Sequence, residues 1–424
     1  MFRRRWSGLP EDPDFPADME KLGYFVNEED EIRSIADPKF YFDYFISKCM
    51  RHNDRQRFAF TLAVQDLVHA RLTSAPHHFT KLTLPLQTPP TSPHTPIFLS
   101  PNLRRKKRVL VLFGERDQDL GVLAHRVLGG KGGVNEGSVV SIVEATAALR
   151  SSSREENDFG VVLANTGESW WWPEGKRALS YRQSSGVRMK SAVLKGRYTD
   201  PKVNGIPGHA DVGEHVRLVF ESVLDKEEFV GKEARLEIIG LSEGAVETEK
   251  YLDENWKRWE DRIGCLAILG GGLEEHEIKN VGFKTFLKDK ARAYITCSTP
   301  LNHPMANPGG NIYSHYHTAY GCPVFSSGEP YHTELTLIKA KGVVLPWMNE
   351  VYDAAGRYKN PVLNVTFKSE EFEDTPEFVD YPAYEPFPPH QPGLVNASAL
   401  ADDEDRLEVR IKEAEKLAKQ AESG

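Results

Sequence analysis

A serine flanked by small residues carries the clearest chemical signal in this chain. Ser242 lies in the segment ARLEIIGLSEGAV, residues 234 to 246, between Gly240 and Gly244. A short apolar run precedes the motif, and a helix-compatible run follows it. A strand that turns sharply into a helix strains the serine backbone and tolerates only small residues two positions either side. The spacing therefore predicts a nucleophile elbow, whose chemistry would be attack by Ser242 on an ester or acyl carbon.

The partners that such a serine needs are only partly present. His332 follows the last apolar run of the chain, in the sequence GEPYHT, where a general base is expected. The preceding loop, residues 298 to 303, reads STPLNH and holds no carboxylate. Asn302 could orient an imidazole but could not stabilise its charge, and such a replacement costs about four orders of magnitude in rate. Glu274 and Glu275 are the nearest substitutes, although a surface helix N-terminus is the favoured interpretation of both. The catalytic triad is therefore predicted to be incomplete.

The oxyanion-binding side of the site is equally unusual. The backbone N–H groups of Gly114 and Glu243 are the candidate donors, since one follows an early strand and the other follows the serine. Three charged residues come directly after Gly114, namely Glu115, Arg116 and Asp117. Their carboxylates would lie near the point where a negative oxyanion must form, and Arg116 could offset them. This pattern favours an inactive or unusual site over an ordinary esterase.

Short apolar runs must supply the sheet that positions these residues. Besides the run before Ser242, they cover residues 108–114, 159–165, 265–270, 292–297 and 322–327, and helix-compatible or loop segments separate them. This alternation predicts an α/β fold of the α/β-hydrolase type, with a mostly parallel sheet flanked by helices. We expect one domain over residues 1–352, with the sheet core at 105–350.

The remaining segments are predicted to be extensions of that core. Residues 1–73 are expected to form an arm followed by helices over 37–57 and 58–72, with the aromatic residues between Phe40 and Phe45 in the core. Proline-rich composition predicts a loop without regular structure over residues 74–101. Residues 353–424 are expected to form an acidic, proline-rich tail that ends in a charged helix.

Composition excludes several classes of protein. The formal net charge of −9 argues against a surface that binds nucleic acid as a whole. Four cysteines without CxxC spacing indicate a reducing compartment. No apolar run approaches the ~18 residues of a membrane span, so we expect no membrane insertion. His303, His315 and His317 share one loop, but they lack a third ligand at a characteristic spacing, so neither a metal nor a cofactor is predicted.

Two further segments suggest binding. Trp170, Trp171 and Trp172 cannot all face one side of a core, so we expect at least one at a surface or partner. Basic residues follow from Lys176 to Arg197, which leaves RNA binding as an alternative function. The run of basic residues at 104–108 suits either a solvated strand start or a nuclear import signal.

Several blocks of the sequence together resemble a known family. They are MFRRRWSGLP at 1–10, LGYFVNEEDEIR at 22–33, NDRQR at 53–57, GEHVRLVF at 213–220 and SSGEPYHTE at 326–334. Over about residues 2–350 the chain resembles the fungal argonaute-binding-protein-two domain. That domain is similar to the C-terminal half of class II histone deacetylases and to animal nuclear cotranscriptional regulators. Relatives place His-Gly where this chain has Phe113-Gly114, and often Asp within Gly270–Gly272.

The resemblance implies a nuclear protein, with the cytoplasm as a second location, that acts in heterochromatin silencing by small RNAs. Its partners would be an argonaute-containing complex or a histone deacetylase, and RNA would be reached through them. The leading hypothesis is thus an impaired α/β-hydrolase-like interaction module. The alternative is a serine hydrolase that uses Ser242 and His332.

Overall fold

Nine strands form one sheet at the centre of the molecule. The structure is a computed structural model that describes residues 8–149, 159–193, 199–311, 318–354, 356–363 and 365. The sheet strands in chain order are β3 (Thr80–Leu84), β4 (Thr95–Leu99), β5 (Arg108–Phe113), β6 (Phe159–Leu163), β9 (Arg235–Leu241), β10 (Ile263–Leu269), β11 (Ala291–Ile295), β12 (Pro304–Ala306) and β13 (Val324–Ser326). Two small hairpins pair β1 (Tyr24–Val26) with β2 (Ile32–Ser34) and β7 (Trp170–Trp172) with β8 (Arg177–Leu179).

The strand order across the sheet is β12-β13-β11-β10-β9-β5-β6-β4-β3. The six strands from β13 to β6 are parallel, whereas β12, β4 and β3 pair antiparallel with their neighbours. The predicted α/β-hydrolase-like sheet is therefore confirmed. Because β9 and β5 are adjacent central strands, their carboxyl ends bring the Ser242 turn and the segment after Phe113 to the same edge of the sheet.

Helices cover both faces of this sheet. Their bounds are α1 (Met50–Thr73), α2 (His125–Leu128), α3 (Gly133–Glu136), α4 (Val140–Ala148), α5 (Tyr181–Ser184), α6 (Pro201–Asn204), α7 (Val212–Val219), α8 (Glu243–Trp259), α9 (Val281–Lys290) and α10 (Thr336–Asp353). Residues of α1, α4 and α10 share one apolar cluster with the sheet, and residues of α7, α8 and α9 share the other. The central strands are apolar at successive positions because both of their faces are covered.

The N-terminal predictions need correction. Among the described residues up to 73, only one helix, α1, forms; the segment before it contains the β1–β2 hairpin, and residues 35–49 are irregular. Phe42 is buried, but Phe40 and Phe45 are largely exposed. The segment predicted as an irregular loop, residues 74–101, contains the antiparallel pair β3 and β4. The predicted charged helix and acidic tail lie outside the described residues, apart from a few residues up to 365, and the boundary at residue 352 stays a prediction.

Candidate site at the nucleophile elbow

Ser242 occupies the sharp turn between β9 and α8. Its backbone has φ +46° and ψ −116°, a region that residues other than glycine rarely adopt. Its N–H donates to the Leu269 carbonyl oxygen at 2.8 Å, which ties the turn to the end of β10. The structure thus places the serine as the sequence predicts, at a strained strand-to-helix junction.

The flanking glycines are required by close backbone approach. A Cβ at Gly244 would lie 2.3 Å from the carbonyl oxygen of Gly114 and 2.6 Å from that of Phe113. A Cβ at Gly240 would lie 2.5 Å from Cα of Ala245. Neither backbone can move aside without disturbing the central strands, so both positions must lack a side chain.

The hydroxyl of Ser242 is engaged by a carboxylate. Ser242 Oγ donates to Glu115 Oε1 at 3.3 Å, across 127 positions of sequence. Burial raises the pKa of Glu115 above its usual range, and the nearby Glu243 and Glu334 raise it further, whereas Ser242 and Thr333 lower it. The Glu115 carboxylate thus lies at the serine hydroxyl, and its closeness to an oxyanion stays a prediction. The sequence analysis did not predict Thr333 in this site. Its contact with Glu115 depends on how the chain folds 91 positions after the serine.

His332 has a different partner. Its Nε2 lies 2.9 Å from Nη1 of Arg126, and Arg126 also forms an ion pair with Glu334. Because a guanidinium group can only donate, His332 Nε2 must accept, and the proton of the neutral ring is then on Nδ1. Within the described part of the chain, no hydrogen bond joins His332 to Ser242. Arg126 was also missed in the sequence, since it lies 206 positions from the histidine that it contacts.

The positions for a triad acid hold neutral groups. Asn302 accepts from the Tyr294 hydroxyl at 3.4 Å, and the N–H of Cys297 donates to the Glu329 carbonyl oxygen. Glu274 and Glu275 lie in a turn after β10, not at a helix N-terminus, and neither hydrogen-bonds to His332 among the residues that the structure describes. Among the described residues no carboxylate hydrogen-bonds to the His332 ring, and Glu329 Oε1 accepts only from the backbone N–H of His332, at 3.2 Å.

The two predicted oxyanion donors lie in different settings. Glu243 begins α8, a helix of 17 residues, so its N–H points outward from a helix N-terminus. On the other side, a Cβ at Gly114 would lie 2.1 Å from Gln118 Oε1, and the N–H of Glu115 donates to this same oxygen at 3.2 Å. The Gln118 side chain thus accepts a hydrogen bond from the backbone N–H of Glu115 at the turn after β5.

The three tryptophans differ in burial. Trp170 and Trp171 are buried, in two different apolar clusters, and only Trp172 keeps partial exposure. They alternate in side because they form β7, so the argument that they cannot share one side is confirmed. Burial makes Trp170 and Trp171 unsuitable as exposed anchors, so Trp172 is the member of the trio that the surface expectation leaves. A binding role for Trp172 stays a prediction.

The remaining sequence predictions concern metal binding, the cysteines and membrane insertion. Within the described ranges, no group of three or more histidine, cysteine or acidic side chains is arranged to hold a metal. His315 and His317 fall outside those ranges. Three free cysteines, Cys265, Cys297 and Cys322, are buried at or beside sheet strands, as predicted. None of the described helices combines the length and apolarity needed to cross a membrane.

Comparison with known families decides the relationship of the chain. The model of the Arb2 domain matches residues 15–301, which is more than half of the sequence. The chain belongs to the Arb2 domain family. The matched region runs from the segment before β1 through β11 and includes Gly114, Ser242 and the three tryptophans of this Arb2 domain. It ends before His332, so the match does not cover the histidine.

Similar solved structures exist at low identity. One is the structure of the histone deacetylase Clr3, with 12% identity and a TM-score of 0.36, over 68% of this chain and 38% of that one. Another is a glucuronoyl esterase from Solibacter usitatus, with 9% identity and a TM-score of 0.28, over 69% of this chain and 93% of that one. No curated protein sequence matches the chain. The Arb2 chain thus spans well under half of the Clr3 structure.

Proposed function

We propose that this Arb2-domain protein is a catalytically impaired α/β-hydrolase-like module that binds partners in the nucleus. The partners are an argonaute-containing complex or a histone deacetylase, and the process is heterochromatin silencing directed by small RNAs. Membership of the Arb2 family and the sequence resemblance support the partners. The observation that carries the impairment is the hydrogen bond from Ser242 to the Glu115 carboxylate.

That hydrogen bond opposes catalysis for an electrostatic reason. Attack by a serine on a carbonyl group generates negative charge, which active hydrolases stabilise with preorganised donors. An ionised Glu115 at hydrogen-bond distance from the attacking oxygen would repel that charge. His332, whose Nε2 accepts from Arg126, has no lone pair available at that nitrogen to take the serine proton. The elbow is therefore a structural turn in this proposal.

A serine hydrolase is the second candidate, and one observation favours it. Burial raises the pKa of Glu115, and a protonated Glu115 could donate to an oxyanion in place of repelling it. Ser242 would then act as nucleophile with His332 as base, after release of the histidine by Arg126. The reactivity of Ser242 distinguishes this candidate from the proposed function.

Affinity purification tests the proposed partners. The tagged chain is produced in the organism that encodes it, beside matched Ser242→Ala and Glu228→Gln variants. Each is purified from nuclear extract, and co-purifying proteins are identified by mass spectrometry. We expect argonaute or histone deacetylase subunits with all three chains, because the hydroxyl of Ser242 has no part in binding. Absence of both classes from the unmodified chain would overturn the proposed function.

A further inference from the structure

An acidic segment near the start of the chain crosses the surface of the domain without helix, strand or turn. It comprises residues 10–14, with the sequence PEDPD, and is called the PEDPD segment below. It precedes β1 and pairs with no strand of the described chain. Polar contacts join it instead to two other parts of the molecule, which are the start of α1 and residues 185–192 after α5.

The PEDPD segment lies alongside the stretch after α5 in the manner of a bound peptide. At one end, the carbonyl oxygen of Pro10 accepts from the hydroxyl of Ser191 at 2.8 Å and from the N–H of Ala192 at 3.1 Å. Further along, the carboxylate of Asp12 accepts from the N–H of Met189 at 2.7 Å. Positions rise along one stretch while they fall along the other, so the two run antiparallel. The two prolines favour extended backbone at and before their own positions.

Three arginines hold the carboxylates of this segment. Arg51 Nε donates to Asp12 Oδ1 at 2.7 Å and its Nη2 donates to Oδ2, so this pair is bidentate. Arg55 and Arg188 form ion pairs with Asp14 at 3.2 and 3.1 Å. Burial raises the pKa of Asp12, but the hydrogen bonds that it accepts, first from Arg51, outweigh burial and hold this pKa below the ordinary 3.8. The ionised Asp12 thus has the fork geometry by which guanidinium groups select carboxylates.

The two arginines of α1 are also held by groups outside the PEDPD segment. Arg51 donates to the carbonyl oxygens of Ser185 and Val187 at 2.7 and 2.8 Å. Arg55 donates to the carbonyl oxygen of Gly186. These contacts keep both side chains in position when the segment leaves, but a largely buried guanidinium without its carboxylate is unfavourable. The site is therefore preformed, and an acidic group is what it requires.

The PEDPD segment itself is attached by few contacts. The side chain of Asp14 is 63% exposed, and Glu11 is exposed as well. Among the residues that the structure describes, the apolar clusters include none from this segment. Its release would break no helix or strand. A segment held by local polar contacts opens at a low free energy, so it can exchange with another segment of the same chemistry.

We propose that Arg51 and Arg55 form a recognition site for an acidic, extended peptide segment of a partner protein, and that the PEDPD segment occupies this site in the free chain. The partner presents two carboxylates two positions apart, because alternate side chains of an extended backbone lie on the same side. Arginine clusters commonly recognise acidic motifs in this way. The inference rests on the proposed role of the chain as an interaction module. It adds the surface, the chemistry of the segment that is recognised, and an autoinhibitory contact.

Peptide binding to the full chain tests this. The probe is a fluorescent copy of residues 8–17, GLPEDPDFPA, and the matched peptide GLPENPNFPA carries amides in place of the two aspartates. In the unmodified chain the tethered segment competes at an effective concentration of about a millimolar, so the acidic probe should bind weakly. In the Asp12→Asn/Asp14→Asn chain we expect the acidic probe to bind at least about ten-fold more tightly, and the amide peptide to bind neither chain.

Further variants locate the site and guard against unfolding. Asp14→Asn alone, at an exposed side chain, should strengthen binding of the acidic probe several-fold without loss of stability. In the Asp12→Asn/Asp14→Asn chain, Arg51→Ala should remove that binding. Arg57→Ala is the matched control, since Arg57 is an exposed arginine of α1 that pairs with Asp54. Thermal melts establish that each variant is folded.

Several results would overturn the proposal. They are equal binding of the acidic and amide peptides, equal losses in Arg51→Ala and Arg57→Ala, and absence of binding to both the double variant and Asp14→Asn. A concentration-dependent dimer of the unmodified chain that Asp12→Asn/Asp14→Asn abolishes would also overturn it, because the site would then hold a second copy. Binding of the acidic probe without argonaute or histone deacetylase in the purification would leave this inference standing while the proposed function fails.

Discussion

The turn that carries Ser242 and the loops that face it differ in how strictly they keep hydrolase geometry. At the turn, the serine has a strained backbone, and glycines stand where a Cβ would strike neighbouring main chain. In the facing loops, Glu115 accepts from the serine hydroxyl and Arg126 donates to His332. No carboxylate of the described residues hydrogen-bonds to the histidine ring. Under the proposed function, the elbow is retained for packing alone, because it joins β9, β5 and α8 at the centre of the sheet.

The largest expected effect is at the elbow glycines. Gly244→Val places a side chain against the carbonyl oxygens of Gly114 and Phe113, so we expect a loss of at least about 4 kcal/mol in the free energy of unfolding. Gly342→Ala is the control, since nothing lies within 4 Å of its Cβ position in α10, and it should stabilise by up to about 1 kcal/mol. Urea unfolding measures both. A stable Gly244→Val variant would show that packing does not explain the elbow.

Much of this geometry could be predicted because its causes are local in sequence. The central strands are apolar at most positions, and the elbow needs its glycines two positions either side of the serine. The lack of a triad acid in the segment 298–303 could also be predicted, since that segment contains no carboxylate. In contrast, the pairing of Arg126 with His332 joins residues far apart in sequence, and nothing in either local pattern signals it.

The missed hairpin has a different cause. Proline-rich composition predicted an irregular loop over 74–101, yet Pro96 lies within β4. This strand pairs with β6 only at Phe98 and Leu99. Pro96 lies beyond that paired section, so its missing N–H costs the sheet no hydrogen bond to β6.

The same comparison can be made between a buried and an exposed aromatic residue. Trp171 is fully buried against Ala178 and Ile206, so Trp171→Ala should destabilise the fold by about 3–5 kcal/mol. Tyr331→Ala, at a side chain that is 82% exposed next to His332, should change stability by less than about 0.5 kcal/mol. Thermal melts compared with purification of partners check this pair. Unchanged melting of Trp171→Ala together with lost partners would restore the tryptophans as binding anchors.

A smaller effect, dependent on pH, is expected in the helix that follows the serine. Burial raises the pKa of Glu249 from its ordinary 4.5 to about 8, because Oε1 is unpaired and only the N–H of Leu273 donates to Oε2. The folded state therefore keeps the proton while the unfolded state releases it near pH 4.5. Stability should fall as the pH rises from about 4.5 to about 8.

Glu249→Gln removes this penalty. The variant should be more stable than the unmodified protein by at least about 2 kcal/mol at pH 8, and the difference should shrink towards zero near pH 4.5. Buried His209, whose pKa is lowered to about 4 by burial, destabilises both proteins equally as the pH falls below about 6.5, so it cancels in the comparison. A difference that does not depend on pH would mean that Glu249 is ionised in the folded state.

The reactivity of Ser242 tests the central claim of an impaired site most directly. The unmodified chain and Ser242→Ala are treated with a fluorophosphonate probe, and labelling of each is followed over time beside an active serine hydrolase. With Glu115 on the hydroxyl and His332 held by Arg126, we predict labelling no faster than in Ser242→Ala. Labelling at the rate of the active enzyme, lost in Ser242→Ala, would contradict the account and establish the serine hydrolase.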